Sequence, residues 1–153
     1  MTTGDASSRE SALLVFAQTA DADIDIDGWN AHAMRFFDCR IGLAESSPSS
    51  RTAMVVAPDG EAPGIRHLLA RPPDAEDLRI AEAADPGASG LALLARRCRG
   101  VWIVERKGDD DRLALRLAIV LASVLLGPIL DARGPHLFGV KTGRAKLEIR
   151  PSR

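Results

Sequence analysis

The chain has 153 residues, of which 46% are hydrophobic and 27% are charged, as in an average soluble globular domain. This length suffices for one domain with its own hydrophobic core, and the composition excludes collagen, coiled-coil, disordered and disulfide-scaffold proteins. The formal net charge of −1 provides no overall attraction to nucleic acid or to anionic lipid. Arginine outnumbers lysine by 17 to 3, a bias that we associate with bacterial coding rather than with a function.

The start of the chain predicts a cytoplasmic protein. Residues 1–10 are polar and lack the basic start and the apolar stretch of a secretion signal. We therefore expect a flexible tail over these residues, followed by a single globular domain over residues 11–153. The two cysteines, Cys39 and Cys98, are compatible with one disulfide bond or with two free thiols.

In the first half of the chain, strands and helices are predicted to alternate. Residues 11–18 form an apolar run of strand length, which is typical of a buried strand. Residues 29–40 carry apolar side chains at helical spacing, and Asp27 is positioned to cap the N-terminus of that helix. Residues 52–57 form a second apolar strand, and we expect a short helix over residues 63–70.

The second half of the chain continues this alternation. Helices are predicted over residues 72–84, 89–98 and 110–126, with a strand over 101–105 and a terminal strand or hairpin over 138–149. Together the elements predict an α/β or α+β layered sandwich, in which helices cover one sheet of about four or five strands.

The helix over residues 110–126 is the most apolar segment of the chain. Residues 117–130 contain no charged side chain, but a membrane span needs about 20 apolar residues, so we expect a buried helix and no membrane contact. Ala114, Ala118 and Ala122 recur every four residues and form a stripe that permits the close approach of another backbone. The stripe packs on the domain's own sheet or forms a self-association face, and the second alternative predicts a homodimer.

An acidic segment matches the start of a calcium-binding loop. Asp23, Asp25 and Asp27 occupy alternate positions and Gly28 follows them, as in the first six residues of such a loop. The bidentate carboxylate required at the twelfth position is absent, because that position holds Met34. We therefore expect a solvated acidic edge with a helix cap, and neither a bound metal ion nor a cofactor.

Cys98 and His136 are the candidates for a catalytic role. Three arginines flank Cys98 in the sequence, and nearby guanidinium groups lower the pKa of a thiol, which makes it reactive. A thiol nucleophile also needs a base such as His136, which the sequence does not place near Cys98. The alternative is a buried and inert cysteine at the end of a helix.

The last part of the chain is basic. Residues 132–153 contain six basic side chains and one acidic side chain, and Arg144, Lys146 and Arg150 would share one face of a strand because their spacing is even. Such a face is suited to phosphate groups or to an acidic partner. Nucleic acid is the less expected ligand, because aromatic side chains that would stack on bases are nearly absent from this segment.

These features favour a non-catalytic domain that acts through protein–protein contact or self-association, since an apolar helix is present and no catalytic motif is recognised. One alternative is a small enzyme with a pocket that uses Cys98 or a histidine such as His136. Another is a binder of nucleic acid or of a phosphorylated metabolite, which would attach through the basic terminal strand in a salt-dependent manner.

Overall fold

The computed structural model of the protein describes residues 11–44, 52–85, 90–108 and 110–148. Within these ranges the chain forms seven strands: β1 (Ala12–Ala17), β2 (Cys39–Leu43), β3 (Thr52–Pro58), β4 (Gly64–Arg71), β5 (Gly100–Glu105), β6 (Ile129–Asp131) and β7 (His136–Phe138). The same ranges contain five helices: α1 (Ile26–Phe36), α2 (Ala75–Ala84), α3 (Leu91–Arg97), α4 (Arg112–Leu125) and α5 (Val140–Glu148). The predicted mixture of helices and strands is confirmed.

All seven strands belong to one sheet, in the order β2-β3-β4-β5-β1-β6-β7. Each neighbouring pair is antiparallel. The first strand in the sequence therefore lies inside the sheet, between β5 and β6. The expectation of about four or five strands was too low, because it missed β2, β4 and the short strands.

Two kinds of segment account for the missing strands. β6 and β7 have three residues each, which is too short for an alternating pattern to be recognised. β4 occupies the segment in which we expected a helix over residues 63–70, since Pro63 is typical of a helix start. Pairing with β3 and β5 on its two sides determines the conformation of this segment instead.

The C-terminal segment also differs from its prediction. A strand or hairpin was expected over residues 138–149, but the structure has helix α5 over most of this segment. Gly143 and Leu147 are its buried residues and lie one helical turn apart. A Cβ atom at Gly143 would lie 2.8 Å from Cγ1 of Ile119, so the glycine allows α5 to pack closely on α4.

Helices cover the two faces of the sheet unequally. α1, α4 and α5 lie on one face, the first face, where α4 buries most of its residues. α2 and α3 lie on the other face, the second face, above β1 and its neighbours. Because successive side chains of a strand point to opposite faces, β1 contributes to both cores, and all six of its residues are buried.

The cap of α1 lies two residues before the predicted one. Asp25 is the N-cap, and its carboxylate accepts a hydrogen bond of 3.2 Å from the backbone N–H of Gly28. The prediction of Asp27 as the cap was therefore wrong, and Asp27 lies in the first turn. After the helix, Asp38 adopts a left-handed conformation with φ of 52°, which turns the chain into β2.

Specific contacts hold both ends of α4. At its start, the carboxylate of Asp111 accepts a hydrogen bond of 3.1 Å from the backbone N–H of Ala114. At its end, Leu126 has a φ of 62°, and a Cβ atom at the following Gly127 would lie 2.0 Å from the carbonyl oxygen of Phe16. Glycine is therefore required where α4 meets β1. Neither α4 nor any other helix in the described ranges is long and apolar enough to cross a membrane.

Candidate functional site

Among the residues that the structure describes, helices cover the second face of the sheet over only part of its width. α2 and α3 cover the part that contains β1, β6 and β7, where Leu14, Phe16 and Leu130 are fully buried. The helices that pack on β2, β3 and β4 are α1 and α4, which lie on the first face. The side chains that these three strands direct to the second face belong to neither hydrophobic core.

We refer to this uncovered area as the open face. Six residues define it: Gly42, Val55, Ala57, Ile65, His67 and Leu69. The register of the strands aligns Gly42, Val55 and Ile65 in one row across β2, β3 and β4. Ile65 is 45% exposed, and the other five residues are half-buried. The open face is thus a mainly apolar surface that neighbouring strands present together.

The sequence of β3 contains a signal for the open face. Its run TAMVVAP contains five consecutive apolar residues, and such runs are typical of strands that are buried on both faces. Met54 and Val56 meet this expectation on the first face, where both are fully buried. Val55 and Ala57 point to the second face and remain half-buried, whereas Ala53 on that face is 8% exposed. The described residues thus cover the second side of the strand only in part.

Charged side chains stand at two borders of the open face. Nδ1 of His67 lies 3.4 Å from Oε1 of Glu105 on β5, and both side chains are more than one third exposed. Arg40 is exposed at the opposite corner, beside Ala57 in the register of β2 and β3. Within the described residues Arg40 has no ion-pair partner.

A buried ionic cluster marks the boundary between the covered and the open part. Asp77 on α2 is fully buried and accepts hydrogen bonds of 2.6 and 3.0 Å from Arg71, the last residue of β4. It also accepts one of 2.9 Å from the backbone N–H of Asp74, which in turn caps α2. This cluster joins the first turn of α2 to the end of β4.

One outward backbone group of the edge strand β2 already has a partner within the chain. Oδ1 of Asn30, on α1, accepts a hydrogen bond of 2.8 Å from the backbone N–H of Ile41. That N–H points away from β3 and is the kind of donor through which an edge strand recruits another chain. At this position the edge strand therefore lacks a free donor for pairing with another strand.

The two cysteines are buried free thiols in the structure. Burial raises the pKa of Cys98 to about 11, which is the opposite of the lowering that a reactive thiol requires. Burial also raises the pKa of Cys39 to about 11, against the opposing charge of Arg116. Both thiols are therefore protonated at neutral pH.

The sheet separates Cys98 from His136. Cys98 belongs to the core of the second face. His136 lies two residues before Phe138, which belongs to the core of the first face, so the two side chains of β7 point to the same side. Burial lowers the pKa of His136, and Lys146 acts in the same direction against the charge of Asp131. The two catalytic candidates are not brought together.

Two clefts lie on the side of the helices α4 and α5. The first, of about 220 Å³, is lined by Leu13, Arg106, Asp110, Asp111, Arg112, Leu115, Asp131, Phe138 and Lys146. The second, of about 320 Å³, is lined by Phe37, Asp38, Glu61, Arg112, Arg116, Arg144, Leu147 and Glu148. Each lining contains equal numbers of acidic side chains and of lysine and arginine side chains, so neither cleft presents an excess of charge to a ligand.

Two of the three carboxylates that line the first cleft, Asp111 and Asp131, are engaged in internal contacts. Arg106 donates two hydrogen bonds of 2.9 Å to Asp131, and Arg66 donates two, of 2.6 and 2.8 Å, to Asp111. Burial alone would raise the pKa of each carboxyl group, but the hydrogen bonds that each accepts outweigh it and hold the pKa of Asp111 and of Asp131 below its usual value. In the second cleft Arg116 donates a hydrogen bond of 3.2 Å to Glu61.

The acidic segment at the start of α1 lies on the surface. Asp23, Asp25 and Asp27 are exposed, and Asp25 is the helix cap. The backbone N–H of Asp23 donates a hydrogen bond of 2.9 Å to Oδ1 of Asp21. In the part of the chain that the structure describes, no group of three or more His, Cys, Asp or Glu residues could hold a metal ion.

The alanine stripe of α4 lies inside the domain. Ala114 and Ala118 are fully buried and Ala122 is 2% exposed, within the core of the first face. The structure thus uses the stripe for packing in the chain itself, which was the first of the two alternatives. Its burial leaves no surface of the stripe for a second copy.

The basic residues near the C-terminus do not form the expected strand face. Arg144 and Lys146 lie on helix α5, where residues two positions apart point in different directions. The guanidinium of Arg144 lies 5.2 Å from the ring centre of Phe37, and the ammonium of Lys146 lies 5.1 Å from that of Phe138. Arg150 is outside the described residues.

One polar pair escaped the sequence analysis because its residues are 91 positions apart. Nε2 of His32, on α1, lies 2.7 Å from Oγ of Ser123, on α4. The rings of Phe36 and Phe37 flank the imidazole. Catalytic use of such a pair requires a third group that orients the histidine, and no carboxylate in the described structure contacts His32. The pair links two helices of the first face.

No protein-family model matches the chain. Neither a curated protein nor a solved structure matches it. The function must therefore be inferred from the geometry and chemistry of the chain itself.

Proposed function

We propose that the protein is a non-catalytic domain that acts through contact with another protein, and that the open face makes this contact. The observation that carries the proposal is the mainly apolar surface of three neighbouring strands, which no core cluster includes. Burial of apolar surface contributes roughly 25 cal/mol per Å². A partner that covers Val55, Ile65 and Leu69 therefore gains the free energy that the isolated domain leaves unused.

The parts of the sequence outside the described ranges contain two large apolar side chains, Met1 and Ile149. On the covered part of the second face, by contrast, α2 and α3 contribute several apolar side chains to the core.

The chemistry of the other candidate sites supports a non-catalytic role. The thiol of Cys98 is buried and has a raised pKa, so it lacks the thiolate character of a nucleophile. Asp111 and Asp131 are held in bidentate contacts with Arg66 and Arg106. Groups engaged in this way stabilise the fold and are poorly placed to transfer protons.

The test compares matched substitutions on and off the open face. Ile65→Lys introduces a charge at the centre of the open face, and Leu93→Lys introduces the same charge at an exposed leucine on α3 (54% exposed). Each form of the protein is immobilised, and the proteins that it retains from solution are measured. We expect the wild type and Leu93→Lys to retain the same binding proteins, including a soluble copy of the chain. Ile65→Lys should retain them at least about tenfold less well, since a charge in the centre of an interface is a severe change.

A second variant separates loss of binding from loss of folding. Ile65→Thr keeps the β-branched side chain that suits a strand, while it removes part of the apolar surface. It should weaken retention with an unchanged urea unfolding midpoint. Equal retention by the wild type and by both Ile65 variants would contradict the proposed function.

A further inference from the structure

We propose that the partner is a second copy of this chain, and that two open faces pack against each other about a two-fold axis. This inference rests on the proposed function of the open face. It is carried by the positions of two opposite charges, Arg40 and Glu105, at the corners of that face.

The two charges occupy symmetric positions around the centre of the open face. Arg40 lies on β2 and Glu105 on β5, and the register separates them by three strand spacings and four residues along the strands. The distance between the positions of Arg40 and Glu105 is therefore about 20 Å along a diagonal of the sheet. The midpoint of the diagonal falls between Val55 and Ile65, which are direct partners in the register of β3 and β4.

A two-fold axis through this midpoint produces complementary contacts. We place the two-fold axis between the open faces of the two copies, parallel to both sheets and perpendicular to the diagonal. This axis brings Arg40 of each copy opposite Glu105 of the partner subunit. It also stacks Val55 and Ile65 of one copy on the same pair of the other. A two-fold interface must be complementary to itself, and the open face meets this requirement in both charge and apolar character.

The same geometry determines how the two sheets cross. The diagonal runs at roughly 45° to the strands, so the axis does too, and the strands of the two copies cross at nearly a right angle. Orthogonal packing is one of the two established arrangements of stacked sheets. The open face measures on the order of 300 Å² from strand spacing and residue rise, which is small for a stable interface. The dimer is therefore weak and reversible, and the paired charges have a large influence on it.

Two features limit other routes to self-association among the described residues. The alanine stripe of α4 is buried in the core. The outward N–H of Ile41 on the edge strand β2 is occupied by Asn30. Within the part of the chain that the structure describes, the open face combines uncovered apolar side chains with charges in a symmetric arrangement.

The test is a charge exchange measured by sedimentation equilibrium from low to high micromolar concentration. Arg40→Glu and Glu105→Arg each convert both symmetric attractions into repulsions, so each variant alone should dimerise about tenfold or more weakly than the wild type. In an equimolar mixture of the two variants, each copy meets opposite charges again. The mixture, and the doubly substituted chain, should recover dimerisation to within about threefold of the wild type.

The controls distinguish this inference from the proposed function. Arg97→Glu reverses an exposed arginine on α3 and should leave dimerisation unchanged, and equal thermal unfolding midpoints should show that all variants fold. A wild type that remains monomeric, or a dimer that is insensitive to both reversals, would overturn the second-copy inference. If Ile65-dependent retention of a different protein persisted in that case, the proposed function would stand. If Ile65→Lys changed neither dimerisation nor the retention of any other protein, both the second-copy inference and the proposed function would be contradicted.

Discussion

Strands β1 and β3 both contain a continuous apolar run but have different surroundings. β1 is buried on both faces, because helices lie on the first face and on the part of the second face where it runs. β3 is fully buried only where Met54 and Val56 meet the helices of the first face. The difference shows that an apolar run does not by itself determine whether helices of the same chain cover both faces of a strand.

The largest expected difference separates two leucines on the second face. Leu14 on β1 is fully buried beneath the helices, whereas Leu69 on β4 is half-buried in the open face. Leu14→Ala should lower the free energy of unfolding by about 2–5 kcal/mol, because it leaves a cavity. Leu69→Ala should lower it by less than about 1 kcal/mol in dilute protein. Urea unfolding measures the loss of free energy of unfolding in each variant. Equal losses in Leu14→Ala and Leu69→Ala would show that the open face is covered within the monomer.

A second comparison concerns packing around α4. Ala118 is fully buried, and Ala145 is exposed on α5. Ala118→Leu should destabilise the protein by about 1–3 kcal/mol through overpacking, while Ala145→Leu should change the stability by no more than about 0.5 kcal/mol. An unchanged melting temperature for Ala118→Leu would mean that the stripe has room for a larger side chain.

Acid should weaken the polar contacts at the start of α4, on the first face of the sheet. The pKa of Asp111 is lowered in the folded state. The contribution of its ionised carboxylate to the free energy of unfolding is therefore fully present above the unfolded pKa, which is near 4. This contribution is lost as the pH falls through the lower folded pKa. In Asp111→Asn we expect a loss of roughly 1–2 kcal/mol at neutral pH and a shallower decline of stability below about pH 4. Urea unfolding midpoints of the wild type and of Asp111→Asn across this pH range provide the measurement. A parallel decline of the two midpoints would contradict the stabilising role of the Asp111 carboxylate.

The smallest effect concerns the thiols. Because burial raises the pKa of Cys98 and of Cys39 to about 11, a thiol reagent should modify the native protein more slowly than free cysteine at neutral pH. Unfolding in urea should make both thiols reactive. Fast modification of Cys98 in the native protein, independent of pH, would instead favour the enzyme alternative.

The elements that could be predicted from the sequence are those with a local signal. The apolar runs predicted β1, β3 and β5, and Asp74 provides the capping box that begins α2. β4 could not be predicted in this way, because its conformation depends on pairing with strands on both sides. The C-terminal helix was missed because the even spacing of its basic residues is also the spacing of a strand face.

The candidate site depends on information that is not local. Gly42, Val55 and Ile65 become neighbours only through the strand order and register, neither of which the sequence revealed. Whether they are covered depends in turn on where α2 and α3 pack. The sequence did contain one sign of the open face, which is the continuous apolar run in β3. Cys98 and the alanine stripe could be assigned to the core only once their burial was known.

The most direct test of the central claim is hydroxyl-radical footprinting of the wild type at increasing protein concentration. This method reports the solvent exposure of individual side chains in solution. If two open faces pack together, oxidation of Ile65 and Leu69 should fall as the concentration rises, while oxidation of the exposed Leu93 stays constant. Oxidation of Ile65 and Leu93 that remains equally high at every concentration would contradict the claim that a second copy covers the open face.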